Sequence, residues 1–176
     1  MTPTGPIRAA VLTISDRCSR GETRDTSGPA LESLLRARLG AEIAGARCVP
    51  DEVPQIRESL LEWSRPDAGV DLLVTTGGTG LAPRDVTPEA ARGVLEREHP
   101  GLMELARLRC LERSPRAFLS RGVAGTIGRT LILTLPGSER GATETLSALL
   151  DVLPHAIDTL RGLVKDEGRG GAGAPV

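Results

Sequence analysis

Short apolar runs alternate along the chain with stretches whose apolar residues recur at helical spacing, which predicts parallel strands joined by crossover helices. The first run, Ile7 to Ile14, lacks polar and apolar alternation and reads as a strand buried on both faces. Beyond a polar loop with Ser27, Gly28 and Pro29, residues Leu31, Leu34, Leu35 and Leu39 share one face of a helix that Gly40 ends. Ile43 to Val49 form a weaker strand. Pro54 opens a helix whose inward face carries Val53, Ile56, Leu60 and Trp63, and Pro66 and Gly69 break it before a second buried strand over Asp71 to Thr76.

Thr87, Pro88 and Glu89 spell a helix start, with Thr87 as the capping oxygen. Leu102, Leu105, Ala106 and Leu108 continue a helical stretch after Pro100. Val123 to Thr126 and Leu131 to Leu135 are two strands separated by Gly128, and Ala142, Leu146, Leu149, Leu150 and Leu153 mark a closing helix that Pro154 interrupts. Neither an internal repeat nor a linker divides the chain. The expected architecture is one α/β domain over residues 1–167, a three-layer α/β/α sandwich around a mostly parallel sheet, followed by a Gly-rich tail at 168–176.

Composition removes several function classes. The 22 basic and 23 acidic residues nearly cancel, giving a net charge of −1, so the chain lacks the basic field needed to coat nucleic acid or a membrane surface. With no Tyr, one Trp and one Phe it offers no stacking platform. Lys165 is its single lysine, which rules out a phosphate-loop lysine and a Schiff base in the body of the fold. Three cysteines without C-x-x-C spacing, two histidines, no apolar leader and no long apolar run make a zinc site unexpected and a reducing, cytoplasmic setting the expectation.

In open parallel sheets ligands bind outside the carboxyl ends of the strands, so the residues after each strand carry the chemistry. Here these are Ser15 and Asp16; Pro50, Asp51 and Glu52; Thr75, Thr76, Gly77, Gly78, Thr79 and Gly80; and Pro136, Gly137 and Ser138. The three glycines permit positive φ and close approach of a ligand to backbone N–H groups, as a phosphate requires. Ser138 stands ahead of a helix, whose free amides favour anions. Asp51 and Asp85 are the carboxylates chosen as magnesium ligands, the alternatives being helix capping for Asp51 and a turn for Asp85. Glu104 and Glu112 among Arg107, Arg109 and Arg113 predict an ion-paired helix face, whereas Ser120 and Arg121 precede the strand pair and are placed beside an anionic substrate. Cys18, with no histidine near it in sequence, reads as an ordinary small residue.

The run from Thr75 through Thr-Gly-Gly-Thr-Gly-Leu-Ala-Pro-Arg-Asp-Val-Thr-Pro to Glu89 resembles the signature of the molybdenum-cofactor biosynthesis family, the molybdopterin adenylyltransferases. Ile14-Ser-Asp-Arg17, Val49-Pro-Asp-Glu52, Leu119-Ser-Arg-Gly-Val-Ala-Gly125 and Leu135-Pro-Gly-Ser138 extend the likeness to about residues 7–163. The resemblance implies a homotrimer that transfers adenylate from MgATP to the terminal phosphate of molybdopterin and releases pyrophosphate. It assigns the chemistry to Asp51 and Asp85 through Mg2+, the nucleotide border to Ser15 and Asp16, phosphate or adenylate to Gly78, Thr79 and Gly80, and the pterin side to Ser120, Arg121 and Pro136 to Ser138. The intact stretch from Pro83 to Pro88 favours the active branch over paralogues that bind molybdopterin as a trimeric carrier without adenylyl transfer. The chain is also much shorter than the related molybdate-insertion enzymes.

Overall fold

The computed structural model describes residues 5–164, so Lys165 and the expected tail at 168–176 lie outside the described residues. Its strands are β1 (Arg8–Ile14), β2 (Glu42–Val49), β3 (Leu72–Thr76), β4 (Arg97–Glu98), β5 (Ala124–Ile127) and β6 (Thr130–Leu135). The helices are α1 (Asp16–Ser19), α2 (Ser27–Leu39), α3 (Val53–Trp63), α4 (Thr87–Arg92), α5 (Pro100–Cys110), α6 (Glu139–Ser147) and α7 (Leu153–Leu160). The six strands form one sheet in the order β2-β1-β3-β6-β5-β4. The first four are mutually parallel, and β5 and β4 continue the sheet through antiparallel pairings.

Strand alternation sorts the side chains into two cores. Ala9 and Val11 of β1, Leu72 and Val74 of β3 and Leu131, Leu133 and Leu135 of β6 pack beneath α2, α5, α6 and α7. The intervening Ala10, Leu12, Leu73 and Ile132 pack beneath α3 and α4, against Ile56, Leu60, Ala90 and Ala91. The fully buried Leu and Ile side chains each contribute about 1.5–3 kcal/mol to holding the three layers together. Strand β2 lies at the sheet edge and alternates in exposure, which is why its hydrophobic signal is the weakest.

Three readings from sequence change. Pro154 does not interrupt one closing helix but sits in the first turn of a separate one, α7, where its missing N–H has no helical partner to lose. Thr87 begins α4 without capping it, because its buried hydroxyl donates instead to Gly77 O at 2.9 Å. Arg107 donates to the carbonyls of Ser120 and Gly122, and Arg109 pairs with Asp151, so these arginines brace neighbouring segments rather than Glu104 and Glu112.

The chain leaves β1 toward β2 on one side and returns to β3 on the other. That reversal opens a crevice at the carboxyl ends of β1 and β3.

Candidate functional site

The crevice is a polar cavity of about 260 Å³ lined by Ser15, Asp51, Thr76, Gly77, Gly78, Asp85 and Gly137. It brings together seven of the residues singled out from sequence. Gly77 has φ of 109° and packs so closely beneath β1 that a Cβ would strike Ile14 O; its neighbour Gly78 has φ of 61°. A Cβ on Gly78 would stand 3.0 Å from Asp51 Oδ1, and one on Gly80 would stand 2.8 Å from Asp85 Oδ2. The glycines therefore make room for the two carboxylates. Thr76 Oγ1 donates to Pro136 O at 2.7 Å, pinning this loop to the turn after β6.

Asp51 and Asp85 are each held by one oxygen. Asp51 Oδ2 accepts the Asp16 N–H at 2.9 Å, while the Asp51 N–H donates to Asp16 Oδ1 at 3.1 Å, a reciprocal clamp between the β1 and β2 loops. Asp51 does not cap α3. Asp85 Oδ2 accepts the Ala82 N–H at 2.8 Å, closing the turn expected there. Oδ1 of both aspartates has no hydrogen-bond partner among the described residues, and neither do the N–H groups of Gly78, Thr79 and Gly80. Two unengaged carboxylate oxygens and the unengaged Gly78 amide thus share one crevice, and the amides of Thr79 and Gly80 follow in the same loop.

Burial pushes the Asp51 carboxyl above its usual range, against the Asp16 N–H that favours the charged form, and the charges of Asp16 and Asp85 add to the rise. Asp16 is held below its usual range despite desolvation, because it accepts the Asp51 N–H and is clamped by Arg84. Arg84 reaches Asp16 through Nε at 3.1 Å and Nη2 at 2.9 Å, and also contacts Glu52 at 2.9 Å.

The remaining predicted residues lie off the cavity wall. Asp16 stands behind it through the clamp, and Thr75 is fully buried within β3. Ser120 donates to Thr79 Oγ1 at 3.2 Å; Arg121 donates to Gly80 O at 2.7 Å and Asp85 O at 2.6 Å and pairs with Glu89, so this segment braces the glycine loop. Pro136 and Ser138 line a second hollow, of about 380 Å³, with Arg113, Arg116 and Arg140. Ser138 caps α6 by accepting the Gly141 N–H at 3.2 Å.

Seven lining residues escaped the sequence reading as site residues: Thr13, Ile14, Cys18, Arg24, Asp25, Thr26 and Ser27. The polar run from Thr23 to Ser27 at the start of a helix was a signal for Arg24, Asp25, Thr26 and Ser27 alone. Asp25 accepts Thr13 Oγ1 at 2.5 Å, Ser27 Oγ at 3.2 Å and the Gly28 N–H at 3.0 Å, which fixes the start of α2. Cys18 Sγ lies 3.4 Å from Thr23 Oγ1, and burial pushes the Cys48 thiol up to about 11, so Cys48 stays protonated near neutral pH.

Among the described residues no three His, Cys, Asp or Glu side chains are arranged to hold a metal ion. The hard oxygens of Asp51 and Asp85 nevertheless suit Mg2+, which takes one or two protein carboxylates and completes its shell with substrate phosphates and water. No described helix is long and apolar enough to cross a membrane.

Known proteins resemble this chain in sequence and fold. The family model described as "Probable molybdopterin binding domain" matches residues 10–155. The molybdopterin adenylyltransferase of Helicobacter pylori strain J99 is 39% identical over 157 residues, which cover 89% of either chain. The molybdenum cofactor synthesis protein cinnamon of Drosophila melanogaster is 43% identical over 86% of this chain, which spans only 25% of that protein's length. The crystal structure of the molybdopterin biosynthesis enzyme MoaB of Thermus thermophilus superposes with a TM-score of 0.83 at 52% identity, covering 89% of this chain and 97% of its own. The matched span exceeds half of the sequence, and the chain belongs to the molybdenum-cofactor biosynthesis family of molybdopterin-binding domains.

Proposed function

We propose that the protein is a molybdopterin adenylyltransferase, transferring adenylate from MgATP to the terminal phosphate of molybdopterin with release of pyrophosphate. The reading rests on one observation above all: Asp51 and Asp85 line a single cavity beside the Gly77–Gly78 turn, each with an oxygen left without a partner. Relatives named molybdopterin adenylyltransferase, 39% and 40% identical over most of this chain, support it.

Attack on the α-phosphate places added negative charge on its oxygens, so the reaction needs charge compensation and alignment more than a protein nucleophile. The free amides of Gly78, Thr79 and Gly80 hold phosphoryl oxygens in this scheme, and the missing side chains let the phosphates lie against the backbone. Ser15 borders the nucleotide, and Asp16 acts through Asp51, whose position it fixes. The Pro136 to Ser138 turn, between the acidic cavity and the arginine-lined hollow, faces the pterin side. Bound at Asp51 and Asp85, Mg2+ neutralises phosphate charge as a Lewis acid.

The protein also assembles as a homotrimer in this reading. Exposed Leu108, Leu111, Phe118 and Leu119 support self-association, Leu108 and Phe118 lining one surface hollow. A monomer in sedimentation equilibrium would overturn the trimer without touching the site.

Pyrophosphate release from MgATP, measured with and without molybdopterin and beside Asp85→Asn, tests the activity. The expected result is pterin-dependent release, lowered about 10²–10³-fold by the substitution, together with an adenylylated product. Wild-type protein that binds molybdopterin but releases no pyrophosphate would leave only a carrier.

A further inference from the structure

Five arginines stand around the carboxyl ends of β1 and β3; three are already engaged, and Arg17, on α1, does not line the cavity. Arg20 pairs with Glu22 at 2.7 Å, Arg84 grips Asp16 and Glu52, and Arg121 is bound to Glu89 and to the carbonyls of Gly80 and Asp85. Arg24 is different on two counts. It is the one guanidinium lining the cavity among the described residues, and it has neither an ion-pair nor a hydrogen-bond partner among them.

That isolation is informative because three carboxylates line the same cavity. The nearest in sequence, Asp25, is saturated by Thr13, Ser27 and Gly28 and leaves its neighbour unengaged. With Asp25, Asp51 and Asp85 in its wall, the cavity repels a phosphate unless cations compensate. A metal at Asp51 and Asp85 supplies part of that compensation. No lysine is present among residues 5–164 to supply the rest. A guanidinium offers a planar fork matched to phosphoryl oxygens, and its weak hydration lowers the penalty of binding them in a confined space.

We propose that Arg24 binds a phosphoryl oxygen of the substrate held in this cavity, as a substrate-binding residue that complements the acidic wall. The inference rests on the adenylyltransferase reading and deepens it. Two phosphates are available, the polyphosphate of MgATP and the phosphate monoester of molybdopterin, and both offer the same chemistry to the guanidinium.

The test is steady-state kinetics of Arg24→Ala and Arg24→Lys, varying MgATP at saturating molybdopterin and then the reverse, with thermal melting alongside. Arg20→Ala, which removes another exposed arginine outside the cavity, is the control. Losing a charge-assisted hydrogen bond lowers kcat/KM about 10- to 100-fold for the substrate whose phosphate Arg24 holds. Arg24→Lys recovers part of that loss, because it keeps the charge without the fork. Melting stays unchanged, since Arg24 contacts nothing that the fold uses. A fall confined to MgATP assigns the polyphosphate, and one confined to molybdopterin assigns the monoester. Active wild-type enzyme whose Arg24→Ala variant matches it for both substrates overturns this inference alone. Wild-type protein that binds neither MgATP nor molybdopterin in calorimetry overturns both this inference and the activity proposed above.

Discussion

Asp51 and Asp71 are both half-buried aspartates at the ends of sheet strands, yet their surroundings drive them in opposite directions. At the carboxyl end, burial and the neighbouring charges of Asp16 and Asp85 push Asp51 up, and one of its oxygens stays unengaged. At the amino end, Asp71 meets the same desolvation, but Arg161 and the Arg8 N–H outweigh it and hold its carboxyl below the usual range. Arg161 binds both oxygens, at 2.9 and 2.7 Å, and its Nη2 also donates to Pro6 O. The cavity there is the larger of the two, about 550 Å³ against 260 Å³. Volume therefore does not mark the site. What sets the carboxyl-end cavity apart is acidic charge that no neighbouring cation fully compensates.

The sharpest way to break this contrast is to remove Arg161. Its side chain is 12% exposed and that of Asp71 is 19%, so Arg161→Ala strands a carboxylate in a partly dry setting. We expect a loss of about 3–5 kcal/mol in urea unfolding, with turnover per folded molecule retained. Arg84→Ala is the counterpart at the other end. Arg84 is 57% exposed, so water screens its ion pairs and its loss destabilises the fold far less. Equal losses from the two substitutions would mean that the carboxyl end is as much a part of the scaffold as the base.

Sequence patterns reach different depths in the two regions. The layers were legible because β1, β3 and β6 are continuous apolar runs and the helices repeat at helical spacing, so local pattern and tertiary packing agree. Asp51 and Asp85 were legible because residues after strands converge at the crevice by topology alone. Hidden were contacts between segments distant in sequence. Arg24 and Asp25 join the cavity only because the loop before α2 folds over the end of β1, which a single chain pattern cannot report. Ser120 and Arg121 were expected beside an anionic substrate; their hydrogen bonds go instead to the Thr79 hydroxyl and the Gly80 carbonyl and brace the glycine loop. The hydroxyl of Thr87 likewise follows a tertiary carbonyl in preference to the local cap that its sequence position suggests.

The smallest effect, and the most specific to the contrast, concerns Asp51 itself. A carboxyl whose folded-state pKa lies above its unfolded value binds protons more tightly in the folded state, so stability falls as pH rises through that range. Its favourable contribution is complete below the unfolded value of about 4 and is lost above the folded one. Asp51→Asn removes the charge, keeps an oxygen able to accept the Asp16 N–H, and leaves the Asp51 backbone donation to Asp16 intact. The metal-free variant should therefore be slightly more stable than wild type at pH 7, with the gap closing as pH falls toward 4, while adenylyl transfer is lost. The gain is small because the attraction of Arg84 and the Asp16 N–H opposes the effect of burial. Asp71 behaves in the reverse sense: its contribution is present above about pH 4 and disappears as pH falls through its lowered folded value. Parallel urea titrations of wild type and Asp51→Asn in chelator decide the matter. If Asp51→Asn is the less stable protein at pH 7, the carboxylate serves the fold, and the contrast with Asp71 fails at its central residue.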